Sequence, residues 1–204
     1  MTLTAFGVIV VVIAQAGAAP SALWTLSYEG KSTNEIRWDK RIESLVNTRV
    51  PARLSRNLLD ALGGPPEPVL VTEQRYASMS ACVAHACFMK GFFWVDTRTG
   101  VGLGAVFGAR SEAPDGLRLG SNGISRTQIP AAARDALIDW LTENELVPDQ
   151  VEFIGRGGDS APLAASGFQP RARFKPAAHH STARTRLGLS RRRSVAIRDS
   201  RHWT

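Results

Sequence analysis

Apolar positions along the chain fall into a long run near the start and short bursts thereafter. Residues 5–14, AFGVIVVVIA, are uncharged and apolar throughout. Further on, Leu54, Leu58, Leu59 and Leu62 recur on one helical stripe, opened by Pro51 and closed by Gly63-Gly64-Pro65-Pro66, which predicts a helix over 51–62. A second helix is predicted from Pro130, with Ala133, Leu137, Trp140 and Leu141 as its apolar face and Arg134, Asp135, Asp139 and Glu143 outside. Strand patterns cover 24–28, 68–72, 75–80, 91–97, 101–107 and, more weakly, 147–153. Turns are read at Glu29-Gly30-Lys31-Ser32 and Arg98-Thr99-Gly100, while 35–46 fits neither period. Together these elements predict an α+β domain: an antiparallel sheet of about five strands, two packed helices and a loop protruding between the strands at 75–80 and 91–97.

The early apolar run is too short to span a bilayer comfortably and is followed by small residues, Ala16-Gly17-Ala18, so residues 1–18 read as a secretory leader cut after Ala18. Its first residues, MTLT, carry no Lys or Arg, which leaves an uncleaved anchor as the alternative. Charge divides the remainder. Residues 20–153 hold fourteen Lys plus Arg against sixteen Asp plus Glu, whereas 154–204 hold eleven against two, a net of +9. The expected organisation is therefore a leader at 1–18, a domain at 19–153 and a basic, disordered tail at 154–204. Such a tail would touch anionic envelope surfaces weakly and non-specifically; nothing in it resembles a base-reading nucleic-acid module.

Candidate chemistry concentrates in Cys82-Val83-Ala84-His85-Ala86-Cys87, which holds both cysteines of the chain around one of its four histidines. In an exported protein two such cysteines usually pair. Closing so short a loop contributes only on the order of 2 kcal/mol, so shaping the loop is a better reason for the bridge than global stability. Three other readings stay open on the residues alone. Reduced, Cys82, His85 and Cys87 supply three zinc ligands without a fourth nearby, since His179, His180 and His202 belong to the tail. A nucleophilic cysteine would need a free thiol beside a poised base, and a redox pair would have two intervening residues before a helix rather than four before a strand. Gly102 and Gly104 lack the spacing of a phosphate loop. The carboxylates Glu29, Glu35, Asp39 and Glu43 are scattered, and Ser78 and Ser80 read as strand-edge polar residues. No cofactor, metal or enzymatic constellation is expected.

The segment Tyr76-Ala77-Ser78-Met79-Ser80-Ala81 followed by Cys82-Val83-Ala84-His85-Ala86-Cys87, with a strand, a turn and a strand behind it, resembles the signature of the inhibitor of vertebrate lysozyme family. The helix at 51–62 with its Gly-Gly-Pro-Pro exit suits the family's order of elements, and the likeness covers residues 24–153. It implies a periplasmic α+β domain whose disulfide-closed loop, bridged by Cys82 and Cys87, enters the active-site cleft of a c-type lysozyme and places His85 on the catalytic carboxylates. Where the family has Lys-Pro before the histidine and Asp or Asn after it, this chain has Val83-Ala84 and Ala86, which removes a charge, a backbone constraint and a polar contact. The tip is correspondingly more apolar, with Phe88-Met89 beside it, and also suits another partner or a second copy of the chain. The alternative function is a non-catalytic envelope-binding module held at anionic surfaces by its tail.

Overall fold

The computed structural model describes residues 21–65, 67–108 and 116–172. The expected leader and the tail from residue 173 lie outside them. A 3-10 helix (Leu23–Tyr28) and three α-helices, α1 (Thr33–Ile36), α2 (Lys40–Arg49) and α3 (Ala52–Ala61), precede a sheet of seven strands. These are β1 (Leu70–Thr72), β2 (Tyr76–Val83), β3 (Ala86–Asp96), β4 (Gly102–Phe107), β5 (Gly116–Gly120), β6 (Gln150–Ile154) and β7 (Ser160–Leu163), adjacent in chain order. α4 (Ala131–Glu143) joins β5 to β6, and a second 3-10 helix (Ala165–Phe168) follows β7. Every neighbouring pair is antiparallel except β5 and β6, which run parallel because a helix carries the chain back across the sheet between them.

The sheet is covered on both faces. Ile42, Leu45 and Val46 of α2 and Leu54 and Leu58 of α3 pack with Met79, Phe93, Val95 and Val106 on one side. On the other, Leu137, Trp140 and Leu141 of α4 pack with Phe92, Trp94, Leu103 and Phe153. Successive residues of β3 therefore enter opposite cores, which is why Phe92-Phe93-Trp94-Val95 is an unbroken apolar run rather than an alternation. α3 lies unusually close to the strands. A Cβ added to Gly91, Gly104 or Gly120 would meet Ala61, Leu58 or Leu54 at 2.7 to 2.9 Å, so these three positions form a shallow track under the helix.

The expected five-stranded antiparallel sheet with two helices is corrected: the fold is α+β, but its sheet is mixed and has seven strands, and four α-helices accompany it among the described residues. The strand read at 24–28 is the first 3-10 helix. Thr25 and Ser27 donate their hydroxyls to the carbonyls of Ala22 and Trp24, both at 2.8 Å, and such back-bonding favours a tight helical turn. The ambiguous stretch at 35–46 resolves as two helices because Asp39 caps α2, accepting from the Arg41 amide at 2.8 Å. β5 escaped notice as five residues bounded by glycines. β7 was hidden by Pro162 and by its basic surroundings.

The folded unit also runs past residue 153, to Ala172. Phe168 is buried against the α4 core, and Arg171 reaches back to Asp135 and Asp139 of α4 at 2.9 and 2.7 Å. Nine of the eleven basic residues assigned to the tail lie beyond it, outside the described residues.

At the base of the β2–β3 hairpin, Arg75 holds Asp96 through two bonds, of 2.6 and 3.0 Å, while the Arg98 amide donates to the same carboxylate at 3.0 Å. The Arg75 guanidinium, chiefly, lowers the Asp96 carboxyl to about 2 from its ordinary 3.8. The stability this carboxylate contributes is present above about pH 4 and is lost as pH falls through 2. Asp96→Asn is expected to lower unfolding stability by about 1 to 2 kcal/mol at pH 7, a discounted figure because Arg75 is partly exposed, with the gap to wild type shrinking between about pH 4 and 2 in urea titrations. At the helix track, Gly104→Ala would drive a methyl to 2.7 Å from Leu58 and 2.8 Å from Val50, and a loss of about 1 to 3 kcal/mol in the same measurement is expected.

Candidate functional site

β2 and β3 pair in steady register from Tyr76 opposite Asp96 to Cys82 opposite Lys90, and then the register breaks, so that Val83 faces Ala86. One step along β2 thus matches four along β3. The three surplus residues, Cys87, Phe88 and Met89, form an excursion in β3 just before the turn. Within it Met89 turns into the core, whereas Phe88 is 68% exposed. Cys82 and Cys87 are joined by a disulfide with their Cα atoms 4.8 Å apart. Cys82 is buried, so the bridge ties the exposed side of the excursion to a fixed point in the sheet.

The turn itself is Ala84-His85, both exposed. His85 adopts φ +62°, a left-handed conformation uncommon for a residue with a side chain and better tolerated by histidine than by branched residues. No described residue hydrogen-bonds to its imidazole. The strand-to-strand span on one side and the disulfide on the other hold the backbone that presents it.

The base of the loop is supported from behind by the exit of α3. A Cβ on Gly64 would come within 2.1 Å of the Cys82 carbonyl oxygen and 2.7 Å of the Ala84 amide nitrogen, so only glycine fits there. Next in the chain, Glu67 donates its amide to the Ser80 carbonyl at 3.3 Å and accepts the Ser80 hydroxyl on its carboxylate. Ser80, read from sequence as a strand-edge polar residue, is therefore buried and bonded. On the far side Gly108, at φ +85°, leaves β4 so close to the Phe88 carbonyl that a Cβ would sit 2.6 Å from it.

The structure brings together Cys82, Val83, Ala84, His85, Ala86 and Cys87 as one tip, with Ala84, His85 and Cys87 exposed, Val83 and Ala86 half-buried and Cys82 buried at its base. It does not bring His179, His180 or His202 into view, all of which lie outside the described residues. With the two sulfurs bonded to each other, neither thiolate is free to ligate zinc or to act as a nucleophile in this state. The supporting roles of Gly64, Glu67 and Ser80 went unread in the sequence. The Gly63-Gly64 pair before two prolines carried the only signal, and it was read as a helix stop without the close approach that makes it necessary.

A scan against protein-family models, a search of curated proteins and a search of solved structures each found no match for this chain.

Gly64→Ala tests the support of the loop. The added methyl meets backbone rather than a flexible side-chain end, so the variant is expected to lose about 2 kcal/mol or more of stability and to shift the amide resonances of residues 82–87 in a heteronuclear NMR spectrum.

Proposed function

We propose that this protein is an exported inhibitor of c-type lysozyme which acts by inserting its His85 loop into the enzyme's active-site cleft. The observation that carries the reading is the tied, exposed hairpin tip: Cys82 and Cys87 are bridged, and His85 projects between them with no hydrogen-bond partner for its imidazole among the described residues. A glycosidase cleft presents two carboxylates flanking the bond it cleaves. An imidazole delivered between them donates a hydrogen bond from one nitrogen when neutral and from both when protonated, and it occupies the space of the sugar. Inhibition then needs no chemistry from the inhibitor.

Rigidity supports the same reading. A loop fixed before association loses little conformational freedom on binding, so more of its contact energy appears as affinity. The replacement of a charged and constrained tip by Val83, Ala84 and Ala86 leaves His85 as the single polar anchor, flanked by apolar contacts that include Phe88. Periplasmic residence belongs to this proposal, through the leader read at residues 1–18. The mildly acidic balance of residues 20–153 is compatible with docking on a basic enzyme.

Inhibition of a c-type lysozyme by the oxidised protein at physiological salt is the test. The wild type is expected to inhibit at sub-micromolar concentration, and His85→Ala to weaken inhibition at least tenfold, about 1.4 kcal/mol at one contact. The Cys82→Ser, Cys87→Ser double variant is expected to lose a comparable factor. Absence of inhibition by the folded, oxidised wild type would sink the proposal.

A further inference from the structure

A second exposed feature lies on the helical face of the molecule. Trp38, in the break between α1 and α2, is 73% exposed, an unusual state for the largest apolar side chain. It is nevertheless held. The Arg37 guanidinium stacks on one face of the indole, 4.5 Å from the ring centroid, and Arg37 is fixed in turn by donating its Nε–H to the Leu59 carbonyl at 2.9 Å. Most of the indole is exposed, and together with Arg37 it lines one end of a groove of about 590 Å³ between α2 and α3, well within the size range of small-ligand sites. Ten-residue helices run about 15 Å, which sets the length of the trough.

The lining selects among ligand classes. Lys40, Glu43 and Asn47 lie along α2, while Arg56 and Asp60 face them from α3, with buried Ser55 between. With Arg37 the lining holds three cations and two anions, so neither a polyanion nor a polycation finds a field of one sign. Apolar surface from Trp38, Ala52 and Leu59 is interrupted by five charged side chains, which an acyl chain or an apolar helix would have to desolvate. A ligand with one flat, weakly apolar face and a rim of groups that both donate and accept hydrogen bonds matches both the exposed indole and the mixed rim. That description is a pyranose ring. The Lys40–Glu43 ion pair, 3.0 Å long and largely exposed, opens at little cost to admit hydroxyl groups.

We propose that the α2–α3 groove is a binding site for a short oligosaccharide, stacked on Trp38 and hydrogen-bonded by the polar side chains along both helices. This site is separate from the His85 loop and does not depend on the reading of that loop.

Saturation-transfer NMR and isothermal titration on the full oxidised chain test the site, with cellotetraose and tetra-N-acetylchitotetraose as probes. At least one probe is expected to bind with a dissociation constant on the order of 1 mM, and to bind equally well within about twofold on raising the salt, since no net charge is neutralised. Trp38→Ala is expected to weaken binding at least tenfold and Trp38→Tyr to restore most of it, because a smaller ring keeps the stacking face. Asn47→Ala, an exposed change, is expected to weaken it severalfold. Trp38→Ala is expected to leave lysozyme inhibition unchanged, and His85→Ala to leave sugar binding unchanged. The proposal is overturned if neither probe binds, if binding survives Trp38→Ala, or if Trp38→Ala abolishes lysozyme inhibition, which would assign the indole to a protein-docking face. Salt-sensitive binding to anionic phospholipid vesicles, lost in Trp38→Ala and without sugar binding, would overturn it equally.

Discussion

The close seating of α3 on the sheet governs the arrangement of everything around it. Three strands contribute a glycine beneath the helix, and the absence of side chains there lets Leu54, Leu58 and Ala61 reach the sheet backbone. With α3 at that depth, its last turn arrives level with the end of β2. Gly64 then passes within van der Waals contact of the Cys82–Ala84 backbone, and Glu67 continues along β2 to bond Ser80. The position of the exposed tip thus follows from how low a helix can lie on a row of glycines. The same helix supplies one wall of the groove that ends at Trp38, so its placement bears on both surface features.

The hairpin that carries the tip is secured at each end by a different kind of interaction. At its base, Arg75 and Asp96 form a two-bonded ion pair, and Tyr76 stacks on Trp94 with ring centroids 5.4 Å apart. At its tip the disulfide gathers in a three-residue excursion that the strand pairing cannot accommodate. Between these points both faces of β3 are buried. Residues 83–88 are the part of the hairpin left outside the cores, and substitution there, Cys87 apart, changes what is presented without changing what is packed.

Much of this was legible in the residues and some of it was not. Helices with an unmistakable stripe and a proline start, at 51–62 and from Pro130, stood out because one buried face imposes a period. The meander through β2, β3 and β4 was readable for a related reason: apolar runs separated by Arg98-Thr99-Gly100 leave few alternatives. What failed were elements whose cause lies elsewhere in the fold. β5 and β7 are short and owe their existence to partners, the former pairing with a strand thirty residues later and the latter edging a sheet already built. The 3-10 helix at Leu23–Tyr28 was mistaken for a strand because its aromatic residues suit either state and local hydroxyl bonds decided between them. At the tip, the cysteine spacing pointed to a tied loop, but the register break that makes Phe88 protrude is a relation between two strands. No single stretch of sequence contains it.

Both margins of the sheet are poor templates for a further strand. β1 has only three residues, and the chain just ahead of it is already engaged, with Gly30 donating to the Val69 carbonyl and Val69 to that of Lys31. At the opposite margin β7 carries Pro162, which has no amide hydrogen to offer. A seven-stranded sheet with open borders would invite pairing with any extended peptide and with copies of itself. Here a short edge at one side and a proline at the other limit what the backbone offers, and what the molecule presents to its surroundings is side chains: an imidazole on a tied turn, an exposed phenyl beside it, and an indole stacked by a guanidinium.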